Sequence, residues 1–320
     1  MSATSVAIPL EERQSADLPA VTVSVVIATK DRGQKLSPTV ESVLRNPADV
    51  WELIVIDQSQ APAAHDALAE SGLLDDPRLT YKRVSTTGAC RARNYGISAA
   101  RGEIVLLTDD DCLVPSDWIE RVQAYFQADP DLDVFFGGVT IPPSWKGASY
   151  RFEPVKPDIL QPGYGDINRK FGLASNMAIR RSAFAVIGPF DEMLGAGAAF
   201  APADDSDYGY RALRLGCRVL TAPQPAVSHL GIHRGGRASA RHQIGLAAMS
   251  TKHVRCGDFG MLWMLGSRII RLLGDATVSL LKGRRPSGYR TAAYIVVGVV
   301  RSLRHPVDTR ARVYRTGRDD

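Results

Sequence analysis

Glu103–Cys112 reads E-I-V-L-L-T-D-D-D-C, an apolar run that stops at three adjacent carboxylates, Asp109, Asp110 and Asp111. A short apolar run beside polar punctuation is the pattern of a buried strand. Three like charges at its end repel one another and do not persist buried without a cation or hydrogen-bond donors. In an open α/β sheet, ligands bind just outside the carboxyl ends of the strands. Hard divalent cations prefer carboxylate oxygens and bridge phosphates. The stretch therefore reads as a strand end that holds a divalent metal carrying a nucleotide diphosphate. A solvated acidic turn is the plainer alternative.

Upstream, Val21–Ala28 (V-T-V-S-V-V-I-A) is continuous and β-branched, as expected of a parallel strand covered on both faces. It runs into Thr29-Lys30-Asp31-Arg32-Gly33. Leu36, Val40, Val43 and Leu44 then place apolar residues on one face of a crossover helix. Trp51–Ile56 is a second buried-type strand, closed by Asp57-Gln58-Ser59, and Ala89–Ala100 reads as a helix bearing Arg91, Arg93 and Asn94. Strand and helix alternate, which argues for an α/β fold with a mostly parallel sheet and right-handed crossovers.

Six segments in this order carry a specific resemblance: V-S-V-V-I-A-T-K-D-R, E-L-I-V-I-D-Q-S, G-A-C-R-A-R-N-Y-G-I-S-A-A-R-G-E-I-V-L-L-T-D-D-D-C, and the later G-L-A-S-N-M-A-I-R-R-S-A-F, G-P-F-D-E and A-D-D-S-D-Y-G-Y-R-A-L-R-L-G. Over roughly Val21 to His233 the chain resembles a family-2 glycosyltransferase. The resemblance implies a GT-A fold, in which a Rossmann-like sheet is flanked by helices. It also implies a nucleotide-sugar donor such as a UDP-sugar, a divalent metal (Mn2+ or Mg2+), and transfer with inversion at the anomeric carbon.

Site residues follow from the same match. Asp57 stands where the family uses an acid toward the base ring; its alternative role is turn capping. Thr29 and Asp31 lie where the family contacts the nucleoside, and Asp31 suits a turn as well. Arg93 offers a rigid set of donors to base or phosphate, which Lys would do less well; a solvated helix charge is the plainer reading. Asp109 and Asp111 occupy the outer positions of a D-x-D element. Asp111 is the expected direct metal ligand and Asp109 the expected contact to ribose or to a metal-bound water, second to Asp111 in the metal set, with Asp110 directed elsewhere. Cys112 stands where many relatives carry another acid, and a neutral thiol is a poor partner for an oxygen-loving ion.

Transfer to a hydroxyl needs a base. The stretch Ala203-Asp204-Asp205-Ser206-Asp207 supplies the candidates. Asp205 is the expected base and Asp204 the runner-up, in a position the family usually fills with Glu. Asp207 suits the start of a helix, where acids favour the dipole. Asn176 is expected either to bind an acceptor hydroxyl or to satisfy backbone. Gly137-Gly138 after Val134–Phe136 reads as a strand end where backbone approaches a ligand. Gly195–Ala203 is small and flexible in composition, as a substrate-ordered acceptor loop would be. His229 lies at the distance beyond the acidic pair where the family often completes its metal or diphosphate site. His233 and Arg234 are weaker candidates for the diphosphate. His229 and His233 are four apart, but Gly231 and Gly235-Gly236 argue against a helical metal pair.

The chain has 320 residues and four cysteines, Cys90, Cys112, Cys217 and Cys256, none in a C-x-x-C or zinc spacing. No disulfide framework is indicated, and no secretory signal is evident in Met1–Ala20. A cytoplasmic enzyme, peripheral on the inner face of the cell membrane, is the expectation. Residues 1–20 read as a leader, 21–245 as the catalytic domain (21–112 nucleotide-binding, 113–245 acceptor-binding), and 246–320 as a basic amphipathic helical tail. From Thr251 onward there are 14 Lys/Arg against 5 Asp/Glu, a charge of +9 in a chain of +5, which leaves −4 for the remainder.

Met261–Lys282 is apolar with a narrow polar stripe, and Thr291–Val300 is about half the ~20 residues a spanning helix needs. Arg284, Arg285, Arg290, Arg301 and Arg304 flank it. Such helices suit an anionic membrane surface, packing on the catalytic domain, or homo-oligomer contacts. No nucleic-acid recognition motif is present. The expected acceptor is a glycan or a lipid-linked glycan of the cell envelope. A nucleotidyltransferase is disfavoured because Ala28–Gly33 contains one Gly and no G-x-G-x-x-G occurs. A catalytically silent scaffold is disfavoured because Asp109, Asp111 and Asp205 are all in place.

Overall fold

The computed structural model describes residues 22–47, 51–142, 151–160, 171–231 and 237–316. The leader, His233, Arg234 and Gly235-Gly236 lie outside the described residues. The first half alternates strands and helices: β1 (Val23–Thr29), α1 (Ser37–Leu44), β2 (Trp51–Asp57), α2 (Ala63–Glu70), β3 (Leu79–Arg83), α3 (Ala89–Ala99) and β4 (Ile104–Asp109). All seven residues of β2 are buried, as a strand covered on both faces requires. Side chains alternate across the sheet. Val23, Val25 and Ile27 meet Leu36, Val40 and Val43 on one side, and Val26 meets Ala92 and Ile97 of α3 on the other.

The second half comprises β5 (Cys112–Leu113), α4 (Trp118–Ala128), β6 (Leu132–Thr140), β7 (Asp158–Leu160), β8 (Met177–Arg180), α5 (Arg181–Ile187), α6 (Asp204–Arg214) and β9 (Arg218–His229). Among the described residues these strands form one nine-stranded sheet in the order β3-β2-β1-β4-β8-β6-β9-β5, with β7 also paired to β9. The sheet is parallel from β3 to β4, as the alternation implies. Beyond β4 it is mixed, because β8 runs antiparallel to both β4 and β6. Register sets the site: Thr29 pairs with Asp57, and Ala28 with Asp109, so the ends of β1, β2 and β4 lie in line.

The expected strand end at Gly137-Gly138 is corrected. β6 continues to Thr140, with a register shift between Gly137 and Val139. The close approach there is internal: a Cβ on Gly137 would lie 2.2 Å from Asn176 Nδ2, and one on Gly138 2.4 Å from Pro223 O.

The tail folds as α7 (Arg237–Arg255), α8 (Gly260–Leu281), α9 (Ser287–Ser302) and a short hairpin of β10 (Val307–Asp308) and β11 (Val313–Tyr314). The expected boundary at 245/246 falls inside α7, whose Ile244, Leu246, Ala248 and Met249 belong to the main core. Lys252 is fully buried, with its Nζ 2.6 Å from Asp191 Oδ2 and 2.7 Å from Asp207 Oδ1. His253 Nε2 lies 2.9 Å from Asp207 Oδ1, Arg211 Nε donates to Asp207 Oδ2 at 3.0 Å, and the Tyr314 N–H donates to Asp191 Oδ2 at 3.0 Å. Burial alone would raise Asp207, but Lys252, Arg211 and His253 outweigh it and hold its carboxyl well below the usual range. Burial pushes His253 down to about 4. Two buried cations thus balance two buried carboxylates, and the tail is joined to α6 by charge.

Removing one partner of such a network strands the others. Lys252→Met is expected to lower unfolding stability by about 3–5 kcal/mol, read from urea unfolding curves. A midpoint equal to that of the unaltered chain would show that the tail is not held through Asp191 and Asp207.

Candidate active site

The aligned ends of β1, β2 and β4 deliver Thr29, Asp57 and Asp109 to one edge of the sheet. Asp57 is fully buried. Its Oδ1 accepts the Ser59 N–H at 2.8 Å and the Ser59 hydroxyl, and its Oδ2 accepts the Tyr81 hydroxyl. The turn-capping role is therefore realised. Ser59 Oγ also accepts the Asp31 N–H at 2.7 Å, which ties the β1 turn to the β2 turn. Asp31 is exposed and holds φ at 55°, a left-handed conformation that Asp tolerates better than most residues. Thr29 is buried at the end of β1, where its backbone carbonyl accepts the Gln58 N–H at 2.9 Å.

Arg93, on α3, is buried and binds two carboxylates brought from different elements. Its Nη2 lies 2.7 Å from Asp109 Oδ1 on β4, and its Nη1 donates to Asp204 Oδ2 on α6. Burial would lower its basicity, but Asp109 and Asp204 more than compensate and keep the guanidinium charged. Arg32, to which the sequence assigns no role, clamps the rest of the acidic run. Its Nε lies 2.9 Å from Asp110 Oδ1 and its Nη2 2.8 Å from Asp111 Oδ2. Burial raises the Asp110 carboxyl, with Arg32 opposing.

His229 comes to this edge by strand pairing. β5 runs antiparallel to β9 with Cys112 opposite His229, and the Leu230 N–H donates to Asp111 O at 2.7 Å. His229 Nε2 lies 3.6 Å from Asp111 Oδ1 and 4.0 Å from Asp109 Oδ2. These separations are beyond hydrogen-bond length. Each of the two distances from His229 is in the range for ligand atoms around one ion, which lie roughly 3–4 Å apart when each is about 2.1 Å from it. Among the described residues, however, the set whose ligand atoms all lie within 4.8 Å of one another is Asp109, Cys112 and His229, without Asp111.

The two carboxylates suit a hard or borderline divalent ion. The imidazole suits it in position. In the present arrangement His229 Nδ1 accepts the Gly231 N–H at 3.0 Å, which leaves the ring proton on Nε2. Coordination through Nε2 would need the other tautomer, with the Gly231 N–H no longer donating to Nδ1. A Cβ on Gly231 would lie 2.5 Å from His229 Cε1 and 2.7 Å from Asp111 Oδ2, so glycine is what lets the backbone pass this close. Cys112 gathers with Asp109 and His229, with ligand atoms within 4.8 Å of one another. Burial, then Asp109 and Asp111, push its thiol well up, so it stays protonated and is a poor ligand.

Asp204, Asp205 and Asp207 occupy the first turn of α6. They have three different fates. Asp204 is held by Arg93, and Asp207 belongs to the buried Lys252 network. Asp205 is half-buried and makes no ion pair among the described residues; its Oδ1 accepts the Ser206 N–H at 2.6 Å. Burial, and then the charge of Asp204, push Asp205 up to about 7, against the opposing pull of Ser206 and Arg93.

The structure assigns Asn176 to the backbone alternative. It is 1% exposed, donates through Nδ2 to Gly138 O and Pro225 O at 2.8 Å each, and accepts the Trp118 indole N–H at 2.9 Å. The expectation of an acceptor contact at Asn176 is corrected, because the amide is wholly engaged inside the protein. The loop Gly195–Ala203 closes against α3. The Ala89 N–H donates to Ala196 O at 3.0 Å, and Gly195 packs against Cys90 Sγ. Lys252 and His253 are not legible in the sequence, because a lone Lys or His in a helical run carries no motif; Asp191 lies in the G-P-F-D-E segment, which gives it no role.

Comparison with known proteins gives the family and the fold. The chain matches the model of glycosyl transferase family 2 over residues 24–188, just over half its length, and belongs to that family. Among curated relatives, the glucosyl-dolichyl phosphate glucuronosyltransferase of Haloferax volcanii is 28% identical over 183 residues, covering 54% of this chain and 57% of that protein. The putative colanic acid biosynthesis glycosyl transferase WcaA of Escherichia coli is 34% identical over 91 residues, covering 28% of this chain and 32% of that protein. The chain thus spans little more than half of the first relative and a third of the second.

Among solved structures, a mannosyltransferase from Pyrobaculum calidifontis in complex with GDP-Man and Mn2+ superposes with a TM-score of 0.59 at 20% identity, covering 91% of each chain. A 1-349 fragment of S. aureus TarS in complex with UDP gives 0.50 at 16% identity, covering 72% of this chain and 65% of that one. These likenesses define the fold as GT-A.

Two substitutions separate site from scaffold. Asp111→Asn is expected to weaken Mn2+-dependent nucleotide binding by at least about tenfold in calorimetry, while Cys112→Ser leaves it nearly unchanged; the reverse order would move the ion to the thiol. Asn176→Ala is expected to cost about 3 kcal/mol of unfolding stability, because it orphans two carbonyls and an indole N–H.

Proposed function

We propose that this glycosyltransferase moves a sugar from a nucleotide-diphosphate donor to an acceptor hydroxyl by metal-dependent, inverting displacement. The observation that carries the reading is Asp205. It is the one acid of the α6 cluster without a cation partner in the described contacts, and its carboxyl is pushed up to about 7. A base is most effective when its pKa lies near the working pH.

In this mechanism the acceptor oxygen attacks the anomeric carbon while the bond to the diphosphate breaks on the opposite face. Asp205 takes the hydroxyl proton as the new C–O bond forms. Asp204, paired with Arg93, lies beside Asp205, and its charge raises the proton affinity of Asp205 and leaves it the base. Asp109, Asp111 and His229 would hold Mn2+ or Mg2+, which when bound supplies positive charge to the departing diphosphate. Arg32, at the same edge, adds a second cation there.

The neighbours solved with GDP-Man and Mn2+ and with UDP support a nucleotide-diphosphate donor. A UDP-sugar is the first candidate and a GDP-sugar its competitor, with Thr29, Asp31 and Asp57 at the nucleoside end. The names of the two curated relatives support a lipid-linked or cell-envelope glycan as acceptor.

Asp205→Asn is expected to lower transfer by about 10²–10⁴-fold while metal-dependent binding of UDP or GDP persists. The rate of the unaltered enzyme should rise as pH rises toward about 7 and level off above it, because the deprotonated form of Asp205 is the active one. An Asp205→Asn enzyme with full activity would pass the role to another acid.

A further inference from the structure

We infer that the solvent face shared by α8 and α9 docks on an anionic lipid bilayer. α8 turns its apolar residues outward. Trp263 is 79% exposed, Ile270 73% and Leu281 83%, and Leu262, Leu273 and Leu280 are exposed with them. At about 100° per residue these six fall within one stripe about 100° wide. A groove of about 400 Å³ lies on that face, lined by Leu262, Trp263, Gly266, Ser267, Ile270 and Arg271. α9 continues it with exposed Tyr289, Val296, Val300 and Leu303. Thr277 Oγ1 and Tyr289 OH are 3.2 Å apart, so the two helical faces form one surface.

This face is left over after the helices have packed. A Cβ on Gly288 would lie 2.2 Å from Leu272 O, and one on Gly298 2.6 Å from Ile244 O, so α9 already sits backbone-close on α8 and α7. Leu265 and Ile295 are buried between them with Ala247.

Charge selects the occupant. Residues 259–304 hold eight Lys/Arg against one acid, Asp275. Lys282, Arg284 and Arg285 are exposed directly after Leu281, and Arg290, Arg301 and Arg304 are exposed along α9. A two-fold contact with a second copy would set this basic rim against itself. Anionic headgroups match it, and the apolar stripe enters the acyl boundary beneath them. Trp263 and Tyr289 are residue types that favour that interface. Among the described residues no helix is long and apolar enough to cross a membrane, so α8 and α9 lie along the surface. The docked face is one helix away from the candidate base. α7 packs on α8 and α9 and, at Gly245, presses on the Ala201 carbonyl just before Asp204 and Asp205. The inference does not depend on which sugar is transferred.

The test is flotation of the full chain with phosphatidylcholine vesicles, with and without phosphatidylglycerol. The protein should float only with the anionic vesicles, release as salt rises, and show a blue shift in tryptophan emission that Trp263→Ser abolishes. Ile270→Glu/Leu273→Glu and Arg284→Glu/Arg285→Glu change exposed positions and so leave circular dichroism unchanged. Each pair should weaken vesicle binding by at least about tenfold. Absence of binding, equal binding to neutral vesicles, or self-association that Ile270→Glu abolishes without any vesicle binding would each overturn the inference, the last in favour of a second copy.

Discussion

The Arg93 guanidinium joins Asp109 at the end of β4 to Asp204 at the start of α6. Those two carboxylates come from opposite halves of the fold and would repel each other across a half-buried edge. A planar cation with donors on two sides satisfies both at once. Through it the acidic end of the nucleotide half and the acid cluster that supplies the candidate base are held in one site. Arg32 plays the matching part on the other flank, neutralising Asp110 and Asp111 from the β1 turn. Without these two arginines the five acids gathered here would be an electrostatic liability.

A second constraint comes from strand pairing. Parallel register between β1, β2 and β4 brings three loop entries to the same edge. The short β5, only two residues long, then pairs back onto the end of β9 and carries His229 to Asp111. Gly231 follows at once, where a side chain would collide with both. The tail is joined by another mechanism. Lys252 and His253 reach into the core under α6, so helices that look appended in the sequence secure the element bearing Asp205. Those same helices leave an apolar, basic-rimmed face turned to solvent.

Much of this architecture is legible in the amino-acid sequence. The apolar run ending at Asp109–Asp111 announces a buried strand whose end needs cations near it, because three carboxylates in a row are tolerable only so; Arg32 and Arg93 stand there. Strand–helix alternation implies the parallel half of the sheet, since a crossover helix is what connects parallel neighbours. The acid cluster at Asp204–Asp207 and its helix are visible from composition and dipole logic. Roles within the cluster are not. Three acids in one turn look alike in sequence, and only their different neighbours (Arg93, Lys252, or no ion pair among the described residues) divide them into a partner, a buried anchor and the proposed base. Asn176 and Gly137 mislead for a related reason: each sits on a ligand-like pattern yet spends its contacts inside the core.

The sequence by itself determined the family, the parallel half of the fold, and the identity of the residues that could carry chemistry. Local pattern suffices there, because apolar periodicity and adjacent like charges have few physical solutions. Tertiary structure alone decided which acids are paired, where His229 stands, how far the sheet departs from parallel, and that the tail is anchored by Lys252. Those properties depend on contacts between residues far apart in the chain: Arg93 with Asp204, Arg32 with Asp111, and Lys252 with Asp191. No local sequence signal encodes which distant charge will arrive to neutralise a buried one.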